Sequence, residues 1–284
     1  MLALPSSRLV PSHHFPKTHI QKTHTRNPTK SGSTSLTMAS LSSNAHPLDR
    51  KSSLACVAPL EAILFDIDGT LCDSDPFHYY AFREMLQEVG FNGGVPITEE
   101  FFSEKIAGVH NEYLCSILFP DWDIERARQF LVDKEAMFRR FISEKIEPLK
   151  GLPRLRQWIE KPGFRRAAVT NATKLNAELI LSKLKLTDFF EIVVLGEECI
   201  RAKPFPDPYL TALEKLNLSN EHAFIFEDSV LGVKAGVAAG MPVVGLGTRN
   251  PEEALINAGA SFVIKDFDDP KLWEALEEIV KKVE

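Results

Sequence analysis

The stretch from Ala62 to Leu71 reads Ala-Ile-Leu-Phe-Asp-Ile-Asp-Gly-Thr-Leu and places the strongest constraint on the fold. Its first four residues are apolar, as expected for a strand buried on both faces of a parallel sheet. Asp66 and Asp68 follow one residue apart, so a straight strand would point both carboxylates the same way. Gly69 then permits a sharp turn. We prefer a buried pair of acids balanced by a cation over a solvated strand end with an ordinary Asp-Gly turn.

The rest of the chain divides into a helical part and an alternating part. Between 76 and 148 the periodicity is helical throughout, and the first helix is predicted to begin with Asp75 as its N-cap. After 148, strands and helices alternate, which predicts a parallel sheet with helices on both faces. We therefore predict an α/β fold. A Rossmann-like three-layer parallel-sheet core is formed by 56–75 and 149–284, and a small helical domain, the cap, is inserted at 76–148.

Composition excludes several classes of protein. The chain has 284 residues, of which 44% are hydrophobic and 25% charged, as in ordinary globular proteins. Its net charge of −6 argues against a general nucleic-acid binder. No apolar run approaches the roughly 20 residues of a membrane span. The four cysteines are scattered and suggest neither a zinc site nor a disulfide framework. We expect no nucleic-acid or membrane partner, and a monomer.

Residues 1–55 differ in composition from the rest. Asp49 is the first acidic residue, whereas five lysines and arginines and many serines and threonines precede it. Such a segment is too polar to fold alone. It resembles an organelle transit peptide, but two other interpretations compete: a disordered tail, or a true start at Met38. The predicted location is cytoplasmic, or the chloroplast if the segment is a transit peptide.

Further polar residues follow other predicted strands. Thr170 and Asn171 end one strand, although both are also good helix-capping residues. Lys203 lies in Lys-Pro-Phe-Pro-Asp-Pro-Tyr, where prolines fix the backbone and can hold the ammonium group as a fixed charge, unlike an ordinary surface lysine. Glu227 and Asp228 end another apolar strand. Glycines then recur at every fourth position, and we interpret them as sites of close helix packing only. Acids gathered in this way need a cation, and hard oxygen ligands favour Mg²⁺.

These motifs resemble those of the haloacid dehalogenase superfamily, in the same order, over about residues 58–280. The likeness is closest to plant small-sugar-phosphate phosphatases of the beta-phosphoglucomutase-like subgroup. It implies that Asp66 is a nucleophile that forms an aspartyl-phosphate, and that Asp68 is a general acid and base. It also implies that Asp66, the Asp68 carbonyl and Asp228 bind Mg²⁺, with Glu227 close by. Thr170, Asn171 and Lys203 would hold the phosphoryl group.

The cap is expected to select the substrate. The loop Ala107-Gly108-Val109-His110-Asn111 is the predicted specificity loop, and His78 is a second candidate contact. For His78 and His110 a surface or packing role is an equal alternative. The implied activity is magnesium-dependent hydrolysis of small sugar or polyol phosphates. Two alternatives stay open: a phosphoglucomutase-type phosphotransferase, and a non-catalytic sugar-phosphate-binding protein.

Overall fold

The computed structural model describes residues 53–282, which are built around a six-stranded parallel sheet with the order β3-β2-β1-β4-β5-β6. The strands are β1 Ala62–Phe65, β2 Arg165–Thr170, β3 Ile192–Leu195, β4 Ala223–Glu227, β5 Val243–Leu246 and β6 Phe262–Ile264. The Ala62–Phe65 strand is central because it pairs with β2 on one side and β4 on the other. Its four side chains are all buried, as its unbroken apolar run predicts.

Helices cover both faces of the sheet. They are α5 Leu152–Glu160, α6 Lys174–Lys183, α7 Asp207–Leu216, α8 Val230–Ala238, α9 Glu252–Ala258 and α10 Pro270–Lys281. Ile63 and Phe65 pack in one apolar cluster with α5, α6 and α10. Ala62 and Leu64 pack in a second cluster with α7, α8 and α9. Alternate residues of β1 therefore supply both layers, and the predicted α/β three-layer core is confirmed.

Four helices precede α5 in the segment between β1 and β2. They are α1 Asp75–Glu88, α2 Glu99–Lys105, α3 Asn111–Leu118 and α4 Ile124–Lys145. Their aromatic and aliphatic side chains, including Phe82, Phe102 and Phe130, form a third apolar cluster. The second half of α4 differs, because Phe138 and Ile142 belong to the cluster against the sheet. The long helix thus joins the cap to the core, while the division of the chain into domains stays a prediction.

Three local features differ from the sequence prediction. The N-cap of α1 is Ser74, and Asp75 is the first helical residue. The Ser74 hydroxyl forms no capping bond because it donates to Asp68 instead, at 2.6 Å. The short helices α5 and α9 were not predicted. Helices of this length depend on tertiary packing more than on local sequence, and the buried Leu155 and Leu255 supply that packing here.

The predicted leader, 1–55, lies almost entirely outside the described residues. Leu54 and Val57 are buried in the first apolar cluster, so the packed structure extends back to Leu54. Among the described helices, none combines the length and the apolar character needed to cross a membrane.

Candidate active site

The polar residues predicted from strand ends come together at the carboxyl edge of the sheet. Asp66 directly follows β1, Thr170 is the last residue of β2, and Glu227 is the last residue of β4. These three strands are neighbours in the order β2-β1-β4, so their ends meet. The Asp66 amide donates to the carbonyl of Phe226 at 3.0 Å, which extends the pairing beyond the strand. Ligand sites in open parallel sheets lie at this edge.

Lys203 lies at the centre of the group and is only 3% exposed. Its ammonium group donates to Asp66 Oδ1 at 2.7 Å, to Glu227 Oε1 at 2.6 Å and to the carbonyl of Val169 at 2.8 Å. Burial alone would lower the pKa of Lys203, but the two carboxylates outweigh it and raise the pKa to about 12. Lys203 is therefore a fixed positive charge with all three protons donated.

Glu227 is fully buried and engaged on both oxygens. Besides Lys203, Oε1 accepts from the Tyr209 hydroxyl at 3.0 Å, while Oε2 accepts from the amide and the hydroxyl of Ser229, each at 3.0 Å. A side chain at Gly232 would overlap the Glu227 carboxylate. The α8 glycines thus allow close packing, as interpreted from the sequence: Gly232 leaves room for the Glu227 carboxylate of β4, and Gly236 lies close against the sheet.

Asp228 is 4% exposed and faces the turn after β1. Burial, followed by the charges of Asp66 and Glu227, raises the pKa of its carboxyl well above the usual range. Gly69 has φ +77°, and a Cβ there would overlap Oδ2 of Asp228. Glycine at this position is needed both for the left-handed turn and for the close approach of the carboxylate.

Three of these carboxylates could hold a metal ion. Asp66, Glu227 and Asp228 each offer an oxygen, and these oxygens lie within 4.8 Å of one another. The three acids face one lysine, which leaves two negative charges uncompensated if all are ionised. Burial foremost, with the Glu227 charge also contributing, raises the pKa of Asp66 to about 8 despite Lys203. An all-oxygen donor set with this charge suits Mg²⁺, since one divalent cation would balance it.

Replacement of Gly69 by alanine tests the close approach to Asp228. The left-handed backbone alone should destabilise by about 1–2 kcal/mol. Gly163→Ala is the matched control, because it has φ +78° but open space around the added methyl group. We expect both variants to lose stability in denaturant unfolding. Only Gly69→Ala should weaken Mg²⁺ binding in calorimetric titration, and equal Mg²⁺ affinity in the two variants would contradict this geometry.

Asp68 and His78 form a neighbouring pair. The half-buried Asp68 carboxylate accepts from Ser74 Oγ at 2.6 Å, and His78 Nε2 lies 3.4 Å from the same oxygen. The His78 ring stacks on Phe138 with centroids 3.6 Å apart. His78 thus lies beside the candidate acid, at the start of the cap, with its ring plane fixed by packing.

Thr170 and Asn171 line the same cavity between core and cap. The buried Thr170 hydroxyl oxygen accepts from the amide of Ala172 at 2.9 Å. The Asn171 amide group donates to the carbonyls of Gly108 at 3.1 Å and Lys203 at 3.2 Å. Asn171 therefore ties the predicted specificity loop of the cap to the loop that carries Lys203.

His110 does not line this cavity, whereas the other predicted site residues line it or, in the case of Glu227, contact Lys203 from a fully buried position. It is the N-cap of α3, and its Nδ1 accepts from the amide of Glu112 at 3.4 Å. Its side chain lines a separate groove beside Glu197. The following residue, Asn111, lines the cavity instead. A capping bond holds the imidazole away from the acids, because it uses Nδ1 at the start of the helix.

A buried polar cluster in the cap was missed by the sequence reasoning. Lys134 and Glu135 of α4 are 2% and 6% exposed, line the cavity, and pair at 2.6 Å. Glu135 also accepts from Asn111 at 3.0 Å and from Asn176 of α6 at 2.6 Å. A Lys-Glu pair within a charged helix resembles an ordinary solvated surface, so no local signal distinguishes it. The packing of α4 against α1, α3 and α6 buries it.

Together these features define a hydrolase-type acidic centre at the end of a parallel sheet, covered by a helical cap. A family model for haloacid dehalogenase-like hydrolases matches residues 63–246. The chain belongs to the haloacid dehalogenase-like hydrolase family, as its motifs predicted.

Two curated relatives and one solved structure illustrate the likeness. A phosphorylated carbohydrates phosphatase of Thermotoga maritima is 30% identical over 209 residues, covering 72% of this chain and 94% of that protein. A beta-phosphoglucomutase of Bacillus subtilis is 26% identical over 218 residues, covering 74% and 91%. The crystal structure of a family IA, variant 3 hydrolase from Entamoeba histolytica has a TM-score of 0.66 at 26% identity, covering 78% of this chain and 100% of that one.

Proposed function

We propose that this protein is a magnesium-dependent phosphatase that hydrolyses small sugar or polyol phosphates through an aspartyl-phosphate intermediate. The observation that carries the proposal is the contact between Asp66 and Lys203, at 2.7 Å, inside a buried cluster with Glu227 and Asp228. A nucleophilic carboxylate next to a fixed cation and a divalent-metal donor set suits attack on a phosphate ester. The similarity to a phosphatase of phosphorylated carbohydrates supports the same reaction class.

In the first step, a carboxylate oxygen of Asp66 attacks phosphorus, and the bond from phosphorus to the sugar oxygen breaks. Asp68, two residues after Asp66 and just before the turn at Gly69, gives its proton to that leaving oxygen. In the second step, Asp68 takes a proton from water, and the resulting hydroxide oxygen bonds to phosphorus. The Asp66–phosphorus bond breaks, which restores the Asp66 carboxylate and releases inorganic phosphate.

Other residues hold the charges and groups that these steps need. Asp66, the Asp68 carbonyl and Asp228 would hold Mg²⁺, which supplies charge stabilisation to the phosphoryl oxygens when bound. Glu227 is better suited to an outer position, because both of its oxygens accept hydrogen bonds from protein donors. Its role is to hold Lys203 and Ser229 in place. Thr170 and Asn171 line the same cavity as Lys203 and would contact the phosphoryl oxygens.

His78 would act on the reaction through Asp68. Its Nε2 is 3.4 Å from the Asp68 carboxylate and its ring stacks on Phe138, so it would hold that carboxylate in position for proton transfer. The cap above the cavity, joined to the core through Asn171 and Gly108, would exclude bulk water during the first step. His110, which lies outside this cavity, has no part in the mechanism we propose.

A phosphoglucomutase-type transfer is the second candidate, because a beta-phosphoglucomutase is among the similar proteins. Both reactions use the same first step. They differ in whether water or a sugar hydroxyl attacks the phosphorylated Asp66. Incubation with beta-glucose 1-phosphate distinguishes them, since a phosphatase yields glucose and phosphate, whereas a mutase yields glucose 6-phosphate.

Metal removal provides the direct test of the proposed function. A screen of sugar phosphates, polyol phosphates and nucleotides should show phosphate release that EDTA stops and added Mg²⁺ restores. The physical reason is the uncompensated negative charge of the three acids, which would repel a phosphate dianion. An EDTA-insensitive rate would refute the metal requirement, and phosphate release from no ester at all would refute the phosphatase.

A further inference from the structure

We infer that Glu135 neutralises the cap half of the cavity, the part lined by His78, Asn111 and Lys134. The site would then select phosphate monoesters whose leaving group is an uncharged polyol and reject substrates with a second anionic group. This inference rests on the proposed function and names the substrate class of the same site. It assigns the specificity to a carboxylate that lies outside every motif of the acidic centre.

The first argument is the pairing of every cation at the cavity. Among the described residues that line it, Lys203 is held by Asp66 and Glu227, and Lys134 is held by Glu135 at 2.6 Å. His78 faces Asp68 with one ring nitrogen and the Lys134 ammonium with the other. The positive charge of each lysine of the lining is therefore already balanced by a carboxylate, and none is left over for a second phosphate or a carboxylate on the substrate.

The second argument is that Glu135 is ionised and fixed. Burial would raise the pKa of its carboxyl, but the Lys134 ammonium, His78 and hydrogen bonds from Lys134 and Asn111 lower it to about 2. Asn176, on the core helix α6, holds the other oxygen at 2.6 Å, and its own carbonyl accepts from Arg139 at 2.9 Å. These bonds prevent the carboxylate from turning away to expose Lys134.

The third argument concerns the hydrogen-bonding groups of Lys134 and Asn111 that no other described residue uses. Lys134 donates to Glu135 and lies 3.3 Å from His78 Nδ1, which leaves one ammonium proton. The side-chain nitrogen of Asn111 donates to Glu135, and within the described part of the chain its side-chain oxygen Oδ1 accepts no hydrogen bond. One donor and one acceptor side by side suit a hydroxyl group, which can both accept and donate.

The consequence for an anionic leaving group is electrostatic. A second phosphate placed in the cap half would lie near the Glu135 carboxylate in a buried site, where like charges are strongly unfavourable. Return of the phosphoryl group to a sugar monophosphate would create such a bisphosphate in the cavity. The same charge arrangement therefore favours hydrolysis over transfer between two positions of a sugar.

The test compares substrates that differ in a second anionic group. Phosphate release from sorbitol 6-phosphate, fructose 1,6-bisphosphate and phosphoglycolate is measured with Mg²⁺ for the wild type, Glu135→Gln and Glu125→Gln. Glu125 is the control, since it lies in the same helix and loses the same charge but is exposed and paired only with Arg128. The thermal unfolding of each variant is measured in parallel.

We expect the wild type to prefer sorbitol 6-phosphate by about tenfold or more in kcat/KM over both anionic substrates. Glu135→Gln should reduce this preference by about tenfold, because the Lys134 charge becomes available, while Glu125→Gln leaves it unchanged. A wild-type preference for the anionic substrates overturns the inference even if Glu135→Gln does not fold. The same preference for sorbitol 6-phosphate in Glu135→Gln and Glu125→Gln also overturns it. If the wild type releases no phosphate from any of the three substrates, the result refutes the proposed function and not only this inference.

Discussion

Asp66→Asn is expected to reduce phosphate release by at least about 10³-fold while the protein stays folded, because an amide oxygen cannot form the acyl phosphate. The amide keeps the size of the carboxyl group and can still accept the 2.7 Å hydrogen bond from Lys203. Steady-state release of phosphate from a polyol phosphate, with circular dichroism as the check on folding, is the measurement. Asp188→Asn serves as the control for loss of one exposed carboxylate, and it should retain full activity.

The same variant has a predictable stability profile in the absence of metal. Burial and the neighbouring carboxylate raise the pKa of Asp66 to about 8 from 3.8, so the folded protein binds an extra proton between these pH values. Wild-type stability should therefore fall as pH rises from about 4 to about 8. Asp66→Asn lacks this titration and should melt higher than the wild type at pH 8 in EDTA. Retained turnover in Asp66→Asn would refute the role of Asp66 as nucleophile. A melting temperature below that of the wild type at pH 8 in EDTA would refute the argument that the buried Asp66 charge is destabilising.

The sheet and its acidic edge could be predicted because their signals are local. An apolar run that ends on Asp66 and Asp68, and another that ends on Glu227 and Asp228, identify two buried strands and the positions of their acids. Parallel alternation then brings these ends to one edge, where the structure places them with Lys203. The prediction needed no knowledge of distances, since a shared strand direction is enough to bring the carboxyl ends to one edge.

The cap half of the cavity could not be predicted in the same way. Lys134 and Glu135 become buried because α4 packs against α1, α3 and α6; Asn176 of α6, for example, meets Glu135 across 41 residues of sequence. His110 was a candidate substrate contact with a surface or packing role as an equal alternative, and its imidazole caps α3 and lines another groove. Both cases concern side chains whose surroundings depend on how helices meet, which a residue pattern does not specify.

The second large effect is expected from Lys203→Met, which removes the one cation among the buried acids of the site. The ammonium group donates to Asp66, Glu227 and the Val169 carbonyl, so three acceptors each lose one hydrogen bond at once. Removal of one partner of a buried ion pair destabilises proteins by about 3–5 kcal/mol, since the remaining charges stay buried without compensation. Lys150→Met is the matched control, because Lys150 is exposed and pairs with Asp266 and Asp268 at 3.6–4.0 Å.

Denaturant unfolding in EDTA should therefore show a large loss for Lys203→Met and a change within about 0.5 kcal/mol for Lys150→Met. The loss should shrink at lower pH, because protonation of Asp66 and Asp228, whose folded pKa values are already raised, removes the repulsion that Lys203 offsets. Mg²⁺ should recover part of the stability by supplying positive charge at the same acids, but not the activity, since the phosphoryl group loses its fixed cation. Equal stability of Lys203→Met and Lys150→Met at pH 8 in EDTA would show that Lys203 does not offset the repulsion among the acids. The argument that the three acids and one lysine need a divalent cation would then be wrong.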